Sequence, residues 1–140
     1  MELKKLNLKN LNSAANAVQA DKQEEMTKKY FELIKRIESF AELKKDWDTF
    51  DSDPPGEIAI KNAITALSYC QRRFPDAINP NGEPGVTFEY FKTNYFFVIE
   101  FYNTGEIGYL KTIDDVIVDN KDITINEVEQ VIKTVIGEIL

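Results

Sequence analysis

The feature that most constrains this chain is a change of hydrophobic period near residue 85. Before it, apolar residues recur at helical spacing; after it, they recur at every second position. Two periods in separate runs, within 140 residues, call for helices and strands grouped apart rather than in strict alternation.

From Asp21 onward, Met26, Tyr30, Leu33, Ile37, Phe40, Lys44 and Trp47 alternate steps of four and three, which predicts an amphipathic helix over residues 21–47. Asp21 reads as its N-cap and Glu24 as the capping-box partner. The stripe also suits a coiled-coil seam, but Phe40 and Trp47 fit a core face better. Residues 1–20 follow neither period and are left as an N-terminal arm ahead of a single domain over residues 21–140. A second helix follows Pro54-Pro55, with Asp53 as its cap, a stripe of Ala59, Ile60, Ala63, Ala66, Leu67, Cys70 and Phe74, and Pro75 as its stop.

A Pro/Gly-rich connector at 80–85 leads into strands at 86–91, 95–102 and 106–111, with a short fourth strand open at 116–118. The last helix starts at Thr124 with Glu127 at N3 and buries Ile125, Val128, Ile132, Val135 and Ile139. The expected fold is α+β in two layers, order α-α-β-β-β-(β)-α, with helices on one face of a three- or four-stranded antiparallel meander. Strand 95–102 is apolar on both faces: Tyr95, Phe97, Ile99 and Phe101 on one, Phe96, Val98, Glu100 and Tyr102 on the other. Either the arm covers the second face, or Phe96, Val98 and Tyr102 form a partner surface.

Histidine is absent, which removes His-based nucleophile activation, His-liganded zinc and His proton shuttles. The single Cys70 sits on an apolar helix stripe, as a structural thiol does, and no glycine pattern cradles a phosphate. Carboxylates remain. Asp46, Asp48, Asp51 and Asp53 crowd around Trp47 without the spacing of a calcium loop, and Asp48 and Asp53 read first as helix caps. Asp114, Asp115, Asp119 and Asp122 read as a solvated turn. Glu89 and Glu100 become an acid pair if the hairpin register sets them opposite each other. Asp48, Asp51, Glu89 and Glu100 are therefore the candidate acidic site; no catalytic, cofactor-binding or metal-ligating residue is assigned. Trp47 and Phe50 are expected as core plugs, with Pro54 and Pro55 as structural residues beside them.

The charge is lopsided. Residues 1–47 carry 10 Lys and Arg against 8 Asp and Glu, a balance of +2; residues 48–140 carry 7 against 16, a balance of −9. That disfavours nucleic acid; it serves solubility alone or suits a basic protein partner. One cysteine, no long apolar run and no signal-peptide pattern make a cytoplasmic protein without a membrane anchor the expectation.

Trp47-Asp48-Thr49-Phe50, then Pro54-Pro55, then Ala59-Ile60-Lys61-Asn62-Ala63 resembles a family of small bacterial and phage proteins with a Trp-Asp-x-Tyr/Phe segment between two helices. Its continuation looks like Asn79-Pro80-Asn81-Gly82, Phe88-Glu89-Tyr90, Val98-Ile99-Glu100-Phe101 and Thr104-Gly105-Glu106-Ile107, so the likeness covers roughly residues 30–110. Asp51-Ser52-Asp53 departs from the small residue the family carries before its prolines. The resemblance implies a fold, and by association with accessory genes of mobile elements an antitoxin or immunity role. The function expected is a non-enzymatic binding, antitoxin-, immunity- or adaptor-like domain that uses no cofactor and engages a protein partner. The alternatives are a metal-dependent enzyme built on the carboxylates and a structural homodimer through residues 21–47 or 95–102.

Overall fold

A computed structural model describes residues 2–140, with side chains described from residue 12 onward. The chain divides into two compact units, Met1–Leu33 and Ile34–Leu140. The elements are α1 (Glu2–Ser39), a 3-10 turn (Phe40–Glu42), α2 (Glu57–Leu67), β1 (Ala77–Asn81), β2 (Gly85–Lys92), β3 (Tyr95–Tyr102), β4 (Ile107–Ile113), β5 (Val116–Ile123) and α3 (Ile125–Ile139).

The first unit is helical. Side chains of residues 12–29 are all exposed, and the rings of Tyr30 and Phe31 lie 5.7 Å apart. Helix α1 runs straight through Asp21, so the cap expected there does not exist, and the segment 2–20 is helix rather than an unassigned arm. The helix also stops early. Ser39 Oγ donates to the Arg36 carbonyl at 2.5 Å, a bond that competes with the helical ladder. Asp46, Thr49 and Asp51 then take left-handed φ values of 66°, 66° and 58°, which no right-handed helix accommodates. Lys44 and Trp47 therefore leave the predicted stripe, while Ile37 and Phe40 remain in the core.

In the second unit the five strands follow chain order, β1-β2-β3-β4-β5, each pair antiparallel. The sheet thus has five strands where the sequence suggests three or four. Strand β1 escapes notice because Pro80, Asn79 and Asn81 read as turn residues; it is an edge strand, the position where a missing N–H is tolerated. Gly85 is required where it sits, because a Cβ there would collide with the backbone of Phe101. Asp114 and Asp115, at φ 53° and 63°, make the two-residue β4–β5 turn, whose left-handed pair matches sheet twist.

Helices α2 and α3 pack on one face of this sheet. Phe88 and Tyr90 of β2, Phe97, Ile99 and Phe101 of β3, and Ile107 of β4 are buried there, and Phe88 meets Phe101 edge-on at 5.1 Å. Helix α2 contributes Ala59, Ala63, Ala66 and Leu67, whose small side chains permit close approach. It ends at Leu67, short of the predicted Phe74. Helix α3 buries Val128, Ile132, Val135, Ile136 and Ile139, and its capping box is present as expected, with Glu127 Oε1 accepting the Thr124 N–H at 3.1 Å. Lys92 Nζ donates to the Ile139 carbonyl at 2.6 Å, closing the negative end of α3 onto β2. Among the described residues, no helix is long and apolar enough to cross a membrane.

Candidate functional site

Alternation along β3 sends Phe97, Ile99 and Phe101 into the core and leaves Phe96, Val98, Glu100 and Tyr102 half-exposed on the opposite face. Across β4 these meet Thr112, Leu110 and Gly108, opposite Phe96, Val98 and Glu100 in turn. Gly108 adds no side chain above the Glu100 carboxyl; a Cβ there would lie 3.2 Å from Asp122 Oδ1. The result is an open groove of about 550 Å³ lined by Val98, Glu100, Tyr102, Leu110, Asn120 and Asp122 among others. The apolar pair Phe91 and Phe96 extends this face, stacked with centroids 5.4 Å apart.

Glu100 shares this groove with Tyr109, Lys121 and Asp122. Partial burial, and then the nearby Glu83 carboxylate, hold its pKa above the ordinary glutamate value. The Tyr102 hydroxyl donates to its Oε2, two residues along the same strand face. A half-exposed carboxyl of this kind is suited to a cation brought by a partner, which would satisfy its charge.

The predicted acid pair does not stand face to face. Glu89 pairs with Val98 and Glu100 with Thr87, so the two glutamates are diagonal neighbours on one face. Asp48 is occupied within its own loop. Its carboxylate accepts the Phe50 N–H at 3.0 Å, the Ser52 N–H at 3.4 Å and the Ser52 hydroxyl at 2.6 Å, and these bonds lower its pKa. Asp51 is exposed, 3.7 Å from Lys45 Nζ, and its N–H donates to Asp46 Oδ1 at 2.7 Å. Asp46 and Asp48 therefore satisfy the backbone of a loop with three left-handed residues instead of capping helices. Among the described residues, no three acidic or cysteine side chains converge as a metal site would require.

Two expectations for this loop need correction. Phe50 is 84% exposed and plugs nothing. Trp47 is half-buried, its indole N–H donating to the Asp53 carbonyl at 3.1 Å. Pro55 is buried and Pro54 half-buried, but the N-cap of α2 is Gly56, not Asp53. Its N–H is taken by Asn103 Oδ1 at 2.6 Å, while Asn103 Nδ2 donates to the Pro54 carbonyl at 3.3 Å. Asn103 sits in a segment that the sequence marks only as a turn.

Arg36 is the other residue whose importance its sequence context does not announce. Its Nε and Nη2 donate to the Ile78 carbonyl at 3.0 and 2.8 Å, Nη2 reaches Asn79 Oδ1 at 3.1 Å, and the guanidinium lies 5.2 Å from the Phe40 ring centre. Cys70 is buried, with Sγ bonded to the Ala66 carbonyl at 3.3 Å, and burial pushes its thiol up to about 12. That chemistry is inert. Comparison with family models, with curated proteins and with solved structures gives no match to this chain.

Proposed function

We propose that this protein is a non-enzymatic binding protein, antitoxin-, immunity- or adaptor-like, that engages a basic protein partner through the sheet face carrying Phe96, Val98, Glu100 and Tyr102. The observation that carries this reading is the groove on that face. A mixed lining, with Val98 and Leu110 beside Tyr102, Tyr109, Asn120, Lys121 and Asp122, surrounds a carboxyl with a raised pKa, inside a region of net charge −9 over residues 48–140 (7 Lys and Arg against 16 Asp and Glu). An arginine or lysine of the partner entering beside Glu100 gains a charge-assisted bond and lowers the cost of the half-buried carboxylate. The aromatics around it supply the contact area that makes such a pair specific. The resemblance of roughly residues 30–110 to small bacterial and phage proteins supports the same reading, and the lone Cys70 suits a cytoplasmic site of action.

The test is affinity capture from the native host at physiological salt, with wild-type protein and the Val98→Asp variant as baits. The expected result is a basic protein retained by wild type, released by added salt and lost with Val98→Asp, whose fold is checked by circular dichroism. Equal capture by both baits sinks this assignment of the surface, and no capture by either sinks the binding role.

A further inference from the structure

The two edges of the sheet are treated differently. At β1 the outward Ile78 carbonyl is occupied by two N–H groups of Arg36, and Pro80 offers no N–H, so this edge cannot extend. At β5, residues 116–122 are all exposed, and Val116, Ile117 and Val118 are 62%, 58% and 48% exposed. Strand β5 contains no proline, and among the described residues no guanidinium covers its carbonyls. A free edge with three consecutive exposed β-branched residues is a pairing template.

We infer that β5 pairs with β5 of a second copy of this chain, antiparallel across a two-fold axis at Asn120. Charge and geometry select both the occupant and the register. A two-fold axis perpendicular to the sheet maps each face onto itself, so facing residues must point the same way and their numbers must share parity. Centring the axis on Asp119 or on Lys121 sets like charges directly opposite, which is destabilising. Centring it on Asn120 sets Lys121 of each copy opposite Asp119 of the other, twice over. Of the registers centred on residues 119, 120 and 121, the charges thus oppose two and favour the one on Asn120. The β4–β5 bulge at Lys111/Thr112 leaves Val118 without a β4 partner and adjoins Asp119, so the pairing that alternation sets is the Asp119–Lys121 centre. Because Asn120 and Asp122 also line the groove around Glu100, the two grooves meet at the dimer axis. The edge pairing itself does not depend on what that groove binds.

Sedimentation velocity of the full chain, from micromolar to millimolar concentration, is the first test, and a concentration-dependent dimer is expected. Lys121→Asp alone and Asp119→Lys alone should each weaken self-association at least tenfold. Mixing the two in equal amounts should restore a dimer, since both acidic positions of the first variant then face the two basic positions of the second. Asn120→Cys gives a readout free of charge: antiparallel partners on the axis lie about 4.5–5.5 Å apart at Cα, within disulfide range. Mild oxidation should cross-link Asn120→Cys rapidly and an exposed control, Thr104→Cys, slowly. A wild type that stays monomeric, a dimer indifferent to both single substitutions, or equal cross-linking rates at the two positions overturns the inference. A Val98→Asp variant that still dimerises, while losing its captured partner, separates this edge from the binding face.

Discussion

Asn103 is the side chain whose removal tests the architecture most directly. It joins the turn between β3 and β4 to the first turn of α2, accepting the Gly56 N–H at 2.6 Å and donating to the Pro54 carbonyl at 3.3 Å. Helix α2 has no side-chain cap of its own, so this distant amide takes the place of one. Asn103→Ala removes two hydrogen bonds of about 1 kcal/mol each and strands a helix N–H, while half-exposure lets water recover part of the loss; the expected cost is ~2 kcal/mol. Asn103→Asp keeps the acceptor and adds negative charge at a helix N-terminus, a gain of about 0.3–1 kcal/mol that offsets the lost Nδ2 donor. It should therefore destabilise by less than half as much. Urea unfolding followed by far-UV circular dichroism measures both, with m unchanged if only the native state is affected. Equal costs for the two variants, or a neutral alanine, would refute the view that Asn103 caps α2.

The remaining predictions concern the core, the tight strand crossing, Glu100 and Cys70. Phe88→Ala, at a fully buried position, should cost about 3–5 kcal/mol, whereas Phe50→Ala should stay within about 0.5 kcal/mol in the same urea assay. Gly85→Ala should lose most of its folded population by circular dichroism, because the added methyl meets Phe101 backbone; a wild-type melting curve would contradict that packing. Glu100 has its pKa raised in the folded state, so its favourable share is fully present below the ordinary value of 4.5 and is lost as pH rises through the folded value. Glu100→Gln should accordingly stabilise the fold more at about pH 7 than at about pH 4; identical differences at both would remove Glu100 as a strained carboxyl. Native Cys70 should resist a thiol reagent at about pH 8 and react fully in denaturant, as expected for a buried thiol.

Much of the fold is legible in the sequence, because burial leaves a periodic trace. Strand β3 falls on residues 95–102 as the alternation predicts, and α3 begins at the Thr124–Glu127 box. The misses share a cause. Local propensity speaks for Pro80, Ser39 and Asp53, yet their roles are decided by a neighbouring strand, a competing hydroxyl bond and a distant asparagine. Size alone makes Trp47 and Phe50 equivalent, and only the loop geometry separates the half-buried indole from the exposed ring. The candidate groove is partly visible, since Phe96, Val98, Glu100 and Tyr102 share a face by alternation alone. The contribution of Asn120 and Asp122 depends on β4–β5 register, which the sequence does not specify.

The chain-order sheet carries a kinetic consequence. Each strand pairs with its immediate successor, so every ladder closes over one short turn, and the entropy lost in closing such loops is small. The meander can zip hairpin by hairpin, with no strand waiting for a partner from far along the chain. The slow assembly events are those that span long stretches, among them Arg36 reaching Ile78 over 42 residues, Asn103 reaching Gly56 over 47 and Lys92 reaching Ile139 over 47. Substitutions in the β2–β3 and β3–β4 hairpins should therefore alter the refolding rate, and those at Arg36 or Lys92 chiefly the unfolding rate.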